Sequence, residues 1–187
     1  MTEKIELTRR GAIGVMAGAA GVSVAAQSVT AMAAPAKSGI KHSVCKWCYK
    51  DFSLDDFARE VAALGMDSVE LLGEQDWPTV KKYGLTCAMA SGPGGIGKGW
   101  NRNENHDGFV AKSEEMLPKI AEAGLPNMIV FSGNRDGQDD AEGIKNCAKG
   151  LKRIMPLAEK LGVTVCMELL NSKVNHKDYQ CDHTAWG

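Results

Sequence analysis

The chain has 187 residues, enough for one ordinary domain, and its formal net charge is −1. It is 44% hydrophobic and 24% charged, which is typical of a globular protein. The composition has neither the basic excess that nucleic-acid binding requires nor the acidic run of a disordered tail. We therefore expect no nucleic acid among the partners of this protein.

The beginning of the chain has the pattern of a cleaved export signal. Arg9 and Arg10 precede an uncharged stretch over 11–36, and a small-x-small pattern within it indicates a cleavage site. An arginine pair just before the apolar region is typical of twin-arginine signals, although Ala12 replaces the large apolar residue that is usual there. We expect a signal peptide over 1–33 and a periplasmic or otherwise exported protein.

The same uncharged stretch raises the question of a membrane anchor. It is long enough to span a bilayer, but it consists mostly of Ala, Gly, Val and Ser and contains no Leu or Phe. Because these residues contribute little transfer energy, we expect no stable membrane anchor. An ordinary secretory signal and an uncleaved anchor are the alternatives to twin-arginine export.

Strand-like and helix-like segments alternate over residues 38–187. The first helix has the clearest start, because Ser53 is a typical N-cap, Asp56 follows three residues later, and Phe52 and Phe57 occupy the positions of a hydrophobic staple. Strands are predicted over 40–49, 66–72, 85–90, 127–131 and 163–170; helices are predicted between Ser53 and Gly65, near 77–83, from 108 to 124 with a kink at Pro118, and over 141–161.

This alternation predicts an α/β fold with a parallel sheet covered on its faces. Length favours an open five-stranded sheet of the flavodoxin type, since a (β/α)8 barrel typically needs about 250 residues. The motifs favour the barrel. Glu70 and Glu168 end the second and fifth strands, at the edge where barrel enzymes carry catalytic groups. Residues 63–72 and 160–170 also resemble each other, as repeated βα units do.

A resemblance to a known family becomes specific at residues 157–171, which read Leu-Ala-Glu-Lys-Leu-Gly-Val-Thr-Val-Cys-Met-Glu-Leu-Leu-Asn. This segment resembles the central motif of the sugar phosphate isomerase/epimerase superfamily, the xylose isomerase-like barrels. Residues 54–72, which end in Ser-Val-Glu-Leu-Leu, are similar to the same group. Within it, the closest resemblance is to hydroxypyruvate isomerase-like proteins.

The resemblance covers nearly all of residues 40–187 and implies an incomplete TIM barrel, made of its first five βα units. Because the complete fold needs eight strands, we expect residues 38–187 to be the N-terminal part of such a barrel. We further expect the chain to be a fragment or a truncated gene product that is inactive alone and of low stability, since an unclosed sheet leaves an edge unpaired.

The implied reaction is the isomerisation or epimerisation of a sugar or a hydroxy-keto acid. A general base removes a proton next to a carbonyl, and the enediolate then takes the proton back at the neighbouring carbon. The resemblance implies that Glu168 is a metal ligand that shares the proton transfer. A divalent metal, Mg²⁺, Mn²⁺, Co²⁺ or Zn²⁺, would stabilise the enediolate, with most of its ligands on later strands that this chain lacks.

Four further residues are candidates for contact with the substrate. Asn171 and Lys173 follow Glu168 where the family often carries an Asn and a basic residue, although Asn-Ser-Lys departs from the Asn-Arg of several relatives. A solvated Lys173 is an equal alternative. His183 lies where family members can contact substrate, with a surface histidine as the alternative. Glu70 either faces the barrel mouth or forms a structural ion pair.

Two other motifs remain. Cys45 and Cys48 form a C-x-x-C, but a thioredoxin-like site would need a helix that begins at once, and a zinc site would need a second pair. We therefore expect neither redox nor metal chemistry there, and the sequence leaves open whether the two cysteines pair. The glycine-rich residues 91–99 do not have Walker spacing, and we interpret them as a mobile loop at the barrel mouth.

Two other functions stay open alongside the isomerase. One is a non-catalytic exported sugar-binding protein that kept the barrel and lost activity. The other is an endonuclease IV-like metal hydrolase, which would need more histidines in the first strands than His42, a residue that we place in the barrel interior. A homo-oligomer is also compatible with the sequence.

Overall fold

The computed structural model describes residues 39–187, so the predicted signal peptide over 1–33 lies outside the described residues. Within them, no helix has both the length and the apolar character needed to cross a membrane. The strands are β1 (Ser43–Cys45), β2 (Ser68–Glu70), β3 (Asn127–Val130) and β4 (Thr164–Met167); the helices are α1 (Leu54–Ala63), α2 (Trp77–Lys81), α3 (His106–Glu122), α4 (Asp140–Leu151) and α5 (Met155–Leu161).

All strand pairings form one parallel arc in chain order. β1 pairs with β2, and β3 pairs with β4, both in parallel. Residues 85–90, predicted as the third strand, form only isolated bridges, yet they join the two pairs because Ala90 bridges to both Leu72 and Met128. With helices after the strands, this arc is a part of a (β/α)8 barrel, which confirms the predicted fold class.

The start of α1 is encoded locally, as predicted. The Ser53 side chain accepts a hydrogen bond from the Asp56 backbone N–H at 3.1 Å and so caps the helix. Gly65 follows the helix with φ +76°, a conformation that glycine adopts without strain. At the N-terminal end of α1, the Tyr49 ring packs against Phe57, with 4.9 Å between the ring centroids.

The predicted strand over 40–49 is wrong in its second half. β1 ends at Cys45, and Lys46–Cys48 form a 3-10 turn directly after it. The Tyr49 backbone N–H donates to the Lys46 carbonyl at 2.9 Å, and the Lys46 ammonium donates to the Tyr49 carbonyl at 2.8 Å. These two hydrogen bonds form a tight turn, so β1 does not continue past Cys45. The α-helix itself begins only at Leu54, with Ser53 as its N-cap, as the sequence predicts.

The single helix predicted over 141–161 is also wrong, because the chain forms two helices there, α4 and α5. Pro156 lies in the first turn of α5. Proline has no N–H to donate, and its ring clashes with the carbonyl four residues earlier, that of Lys152. The helix therefore ends at Leu151 and begins again at Met155. By contrast, α3 continues past its own proline, Pro118.

The core lies between the concave sheet and the surrounding helices. It is built from apolar side chains of every helix and strand pair, and burial of this surface is the main favourable contribution to folding. The fully buried members are Ala58, Val69, Val80, Cys87, Ala90, Trp100, Leu117, Ile120, Met128, Val130, Ile154, Ala158, Tyr179 and Cys181.

Candidate active site at the carboxyl edge of the sheet

Two glutamates lie where parallel strands end. Glu70 is the last residue of β2, and Glu168 directly follows β4. The Glu168 backbone N–H donates to the Val130 carbonyl at 3.0 Å, so the ladder between β3 and β4 continues to this residue. Both side chains are half-buried. Since the carboxyl ends of parallel strands share one edge, the fold brings the two carboxylates to the same side of the arc.

The electrostatics of Glu168 indicate that the two glutamates interact. Burial raises the pKa of Glu168 above its ordinary value, and the negative charge of Glu70 raises that pKa further. Both causes disfavour the ionised form of the carboxyl group. A carboxylate whose pKa lies above the usual range is a stronger base, which suits a group that accepts protons from carbon.

Glu70 is held by side chains of β1 and not by a lysine or arginine. The Ser43 hydroxyl donates to one carboxylate oxygen, Oε1, and the Cys45 thiol lies 3.9 Å from the other, Oε2. Among the described residues, the ion pairs do not include Glu70. Burial, the charge of Glu70 and that of Cys48 together raise the pKa of the Cys45 thiol. Within the described part of the chain, the contacts that hold Glu70 are thus hydrogen-bond donors of β1.

The backbone of Glu168 is fixed by a buried tyrosine. The Tyr179 hydroxyl donates to the Glu168 carbonyl at 2.9 Å and accepts from the Ser132 backbone N–H at 3.0 Å. Burial raises the pKa of Tyr179 to about 12, so the hydroxyl keeps its proton at neutral pH. The Tyr179 side chain thus connects three parts of the chain: the end of β4, the turn after β3 and residues 171–187. We call residues 171–187 the tail segment.

Arg135 anchors the tail segment a second time. Its guanidinium donates to the Tyr179 carbonyl and forms ion pairs with Asp140 at 3.1 Å and with Asp182 at 3.2 Å. Hydrogen bonds from Ser172 and from the neighbouring histidine, together with Arg135, hold the pKa of Asp182 well below its usual range. The tail segment is therefore held in place by charged contacts as well as by Tyr179.

Three of the predicted substrate residues lie together, but apart from the glutamates. Asn171, Lys173 and His183 line one shallow cavity of about 490 Å³, whose lining includes neither Glu70 nor Glu168. The Asn171 side-chain oxygen accepts the backbone N–H of Lys173 at 2.9 Å, and the His183 ring is 2.6 Å from Asp182. The structure thus groups the candidates into a carboxylate pair and a polar cavity.

His42 does not lie in the barrel interior, so that prediction is wrong. It precedes β1 at the opposite, amino edge of the sheet, and its side chain is exposed. Its backbone N–H donates to an Asp67 carboxylate oxygen at 3.1 Å. The strand begins at Ser43, three residues later than predicted, so His42 lies before β1.

The glycine-rich residues 91–99 are anchored at the mouth. After them, the Trp100 backbone N–H donates to the Phe131 carbonyl at 2.9 Å. Gly99 and Gly133 pack closely, because a Cβ on Gly133 would lie 2.7 Å from the Gly99 nitrogen, and the φ of Gly133 is +96°. Glycine alone tolerates both conditions. The predicted loop therefore forms part of the rim beside the turn after β3.

Sequence reasoning missed a buried polar cluster in this rim. Asn101, Ser132 and Gln180 are each at most 1% exposed, and the Asn101 amide donates to the Gln180 side-chain oxygen at 2.7 Å. Gln180 in turn donates to the Asp139 carbonyl at 2.9 Å. These polar residues sit in loops far apart in sequence, and no local pattern distinguishes them from solvated residues.

The described residues do not complete a metal site. Among them, no group of three or more His, Cys, Asp and Glu side chains is placed to hold a metal ion. Glu70 and Glu168 offer two carboxylates, whereas Mg²⁺ and Ca²⁺ take at least six oxygen ligands, water included. The described residues therefore do not by themselves complete the coordination of a divalent metal.

The arrangement of parallel strands, helices and strand-end carboxylates agrees with the comparisons to known proteins. The family described as xylose isomerase-like TIM barrel matches residues 58–184, which is more than half of the chain. The chain belongs to this family. No curated protein matches the chain in sequence.

Solved structures share the fold at low sequence identity. An AP endonuclease of family 2 from Brucella melitensis aligns with a TM-score of 0.64 and 16% identity, covering 75% of this chain and 59% of that one. D-psicose 3-epimerase with D-tagatose from Clostridium cellulolyticum aligns with a TM-score of 0.58 and 15% identity, covering 73% of this chain and 54% of that one. A sugar phosphate isomerase/epimerase from Parabacteroides distasonis aligns with a TM-score of 0.56 and 15% identity, covering 71% of this chain and 52% of that one. The chain thus spans between half and three fifths of their length.

Proposed function

We propose that this protein takes part in the isomerisation or epimerisation of a sugar or a small hydroxy-keto acid, with Glu168 as the proton-transferring base. The observation that carries the proposal is the position of Glu168. It stands half-buried at the carboxyl end of β4, and its pKa is raised by burial and by Glu70. A barrel enzyme needs its catalytic groups at this edge.

The proposed chemistry moves one proton. Glu168 accepts the proton from the carbon next to the substrate carbonyl, which leaves an enediolate, and a proton then returns to the neighbouring carbon or to the other face of the same carbon. Glu70 stands beside it with donors from Ser43 and Cys45 already in place, so we propose that it positions a substrate hydroxyl.

A divalent cation is the group that would stabilise the enediolate. The family resemblance supports Mg²⁺, Mn²⁺, Co²⁺ or Zn²⁺, and Glu168 would be one of the ligands. Because the described residues do not complete such a site, we expect this chain alone to bind these metals weakly.

The polar cavity supports a small substrate with several oxygens. Lys173 and His183 could meet the carboxylate of a hydroxy-keto acid, and Asn171 could meet hydroxyl groups. Hydroxypyruvate is the substrate suggested by the sequence resemblance, whereas two of the similar structures are a D-psicose 3-epimerase with D-tagatose and a sugar phosphate isomerase/epimerase. The proposed substrate class includes both kinds of molecule.

The hydrolase alternative has less support. It would require several histidines at the mouth from the first strands, and His42 lies exposed at the opposite edge of the sheet. A non-catalytic sugar-binding protein stays the alternative of a different class. Export through the twin-arginine route is also a proposal, and it depends on the pattern over 1–33.

The test is deuterium exchange. The product of the complete gene is incubated in D2O with hydroxypyruvate, D-fructose or D-tagatose and added Mg²⁺, Mn²⁺ or Co²⁺, and incorporation of deuterium at carbon is followed by NMR. Glu168→Gln should lower the exchange rate by at least about 100-fold, the size of a general-base contribution. The matched control is Glu159→Gln, an exposed glutamate of α5, which should exchange at the wild-type rate.

Two results would contradict the proposal. Exchange by Glu168→Gln as fast as by the control would show that another group is the base. Binding of a sugar by the wild-type protein without deuterium incorporation under any metal would support the non-catalytic alternative.

A further inference from the structure

The C-x-x-C motif at the end of β1 has a local geometry that the proposed isomerase chemistry does not use. Cys45 is the residue before the 3-10 turn Lys46–Cys48, and Cys48 is the last residue of that turn. Cys45 itself keeps an extended backbone, with φ −81° and ψ 126°. The turn thus brings the chain back beside the end of β1, with one cysteine at each of its ends.

The separation also fits a covalent bond between the two sulfurs. Three residues of a 3-10 turn advance about 6 Å along its axis. The α-carbons of disulfide-bonded cysteines usually lie about 4.4–6.8 Å apart. A turn of this length therefore brings the α-carbons of Cys45 and Cys48 into the range that a disulfide needs.

The two thiols differ in exposure in a way that orders the reaction. Cys48 is exposed, whereas Cys45 is half-buried against the Glu70 carboxylate at 3.9 Å. An oxidant in solution can therefore reach Cys48 first. Of the other described cysteines, Cys87, Cys147 and Cys181 are buried, so they are shielded from the same attack.

We propose that Cys45 and Cys48 form a reversible dithiol–disulfide pair that exchanges with low-molecular-weight disulfides. The Cys48 thiolate attacks one sulfur of the oxidant and releases its first thiol. The Cys45 thiolate then attacks the Cys48 sulfur of this mixed disulfide and releases the second thiol. Both electrons pass to the oxidant, and the two protons of the cysteines are taken up by the two departing thiolates.

Oxidation changes the surroundings of the candidate active site. The Cys45 thiol is one of two side-chain donors beside the Glu70 carboxylate, the other being the Ser43 hydroxyl. A disulfide sulfur carries no hydrogen to donate. The redox state of the pair is therefore coupled to how Glu70 is held, whatever reaction the barrel catalyses.

The experiment equilibrates the full chain in glutathione buffers, quenches it with N-ethylmaleimide and counts free thiols by intact mass. An internal disulfide should remove two alkylation sites together. The ratio of disulfide to dithiol should be proportional to the oxidised glutathione concentration divided by the square of the reduced one, because two thiols are released. Peptide mapping should locate the bond between Cys45 and Cys48. Trp47, whose side chain is 62% exposed beside Cys45, should change its fluorescence along the same curve.

Two matched variants complete the test. Cys48→Ser, at an exposed position, should abolish both the paired loss of alkylation and the Trp47 response, while far-UV circular dichroism stays unchanged. Cys87→Ser, at a buried cysteine elsewhere, should leave both readouts as in the wild type. The proposal is overturned if Cys45 and Cys48 stay alkylated throughout, if each carries a separate glutathione, or if Cys48 bonds to another cysteine.

Discussion

The two flanks of the arc differ in how their outer surface is held. On the β4 side, the tail segment is tied down by buried polar groups, and Tyr179 and Gln180 are both 0% exposed. Exposed apolar side chains are more numerous on the β1 side, with Leu64 at 71% and Trp47 at 62% exposure, although Val174 in the tail segment is also 66% exposed. The β4 flank is thus held mainly by buried hydrogen bonds, and the β1 flank presents the larger apolar surface.

The two flanks also differ in what lies beside their outer strands. The tail segment continues the hydrogen bonding of the sheet, since the Leu170 backbone N–H donates to the Cys181 carbonyl at 3.1 Å. Beside α1, an apolar groove of about 600 Å³ is lined by Tyr49, Phe57 and Leu64 among others. Apolar surface of this kind favours contact with other apolar groups. We therefore expect the β4 flank to be sensitive to polar substitutions and the α1 flank to tolerate them.

The largest effect is expected from Tyr179→Phe, which keeps the ring and removes the hydroxyl. The Ser132 N–H and the Glu168 carbonyl would each lose a buried partner. Leaving such groups unsatisfied costs about 1–3 kcal/mol each, so we expect a loss of about 2–4 kcal/mol in the free energy of unfolding, measured by urea denaturation.

The matched control for this change is Tyr83→Phe. The Tyr83 hydroxyl donates to the carboxylate of Asp55 at 2.7 Å, and that carboxylate is half exposed and keeps its contact with Lys82. We expect a loss below about 1 kcal/mol. Equal losses for Tyr179→Phe and Tyr83→Phe would refute the view that the β4 flank depends on buried polar ties.

The sequence alone predicts those features of the two flanks that depend on neighbouring residues. The N-cap at Ser53 and the strands that lead to Glu70 and Glu168 follow from residues within a few positions of each other. The N-cap is where it was expected, and the two strands are present but shorter than predicted, ending at Glu70 and Met167. The helix break at Pro156 could also have been predicted, because proline interrupts an α-helix. The apolar periodicity on both sides of Pro156 instead indicated one continuous helix.

The polar ties of the β4 flank could not be predicted in the same way. Tyr179 and Ser132 are 47 residues apart, and Asn101 and Gln180 are 79 apart. Such bonds depend on how loops from different βα units meet above the sheet, and polar loop residues look solvated in sequence. The roles of Asn171, Lys173 and His183 stay predictions, since the structure groups them but does not test them.

A second, smaller effect concerns pH and Asp182. Its pKa is lowered in the folded protein by Ser172, its histidine neighbour and Arg135, so folding favours the ionised form. The resulting stability is fully present above the unfolded pKa of about 4 and is lost as the pH falls below it. Asp182→Asn should cost about 1–2 kcal/mol at pH 7 and progressively less below pH 4, measured by urea unfolding across this range.

The control for the pH experiment is Asp107→Asn. The Asp107 side chain is 93% exposed although it pairs with Arg153 at 2.7 Å, and an exposed pair contributes about 0–1 kcal/mol. If Asp182→Asn shows the same small, pH-independent difference as this control, Arg135 and its partners do not stabilise the tail segment through charge.

The smallest effect on stability is expected on the other flank, from Leu64→Gln. Leu64 is 71% exposed and lines the groove beside α1, so the free energy of unfolding should change by no more than about 0.5 kcal/mol. Binding of an apolar dye should nevertheless decrease, because the groove loses part of its apolar lining. Ile144→Gln, at an exposed position of α4, should reduce dye binding less. A loss of stability near that of Tyr179→Phe would mean that Leu64 is covered in solution, and the contrast between the flanks would fail at its apolar side.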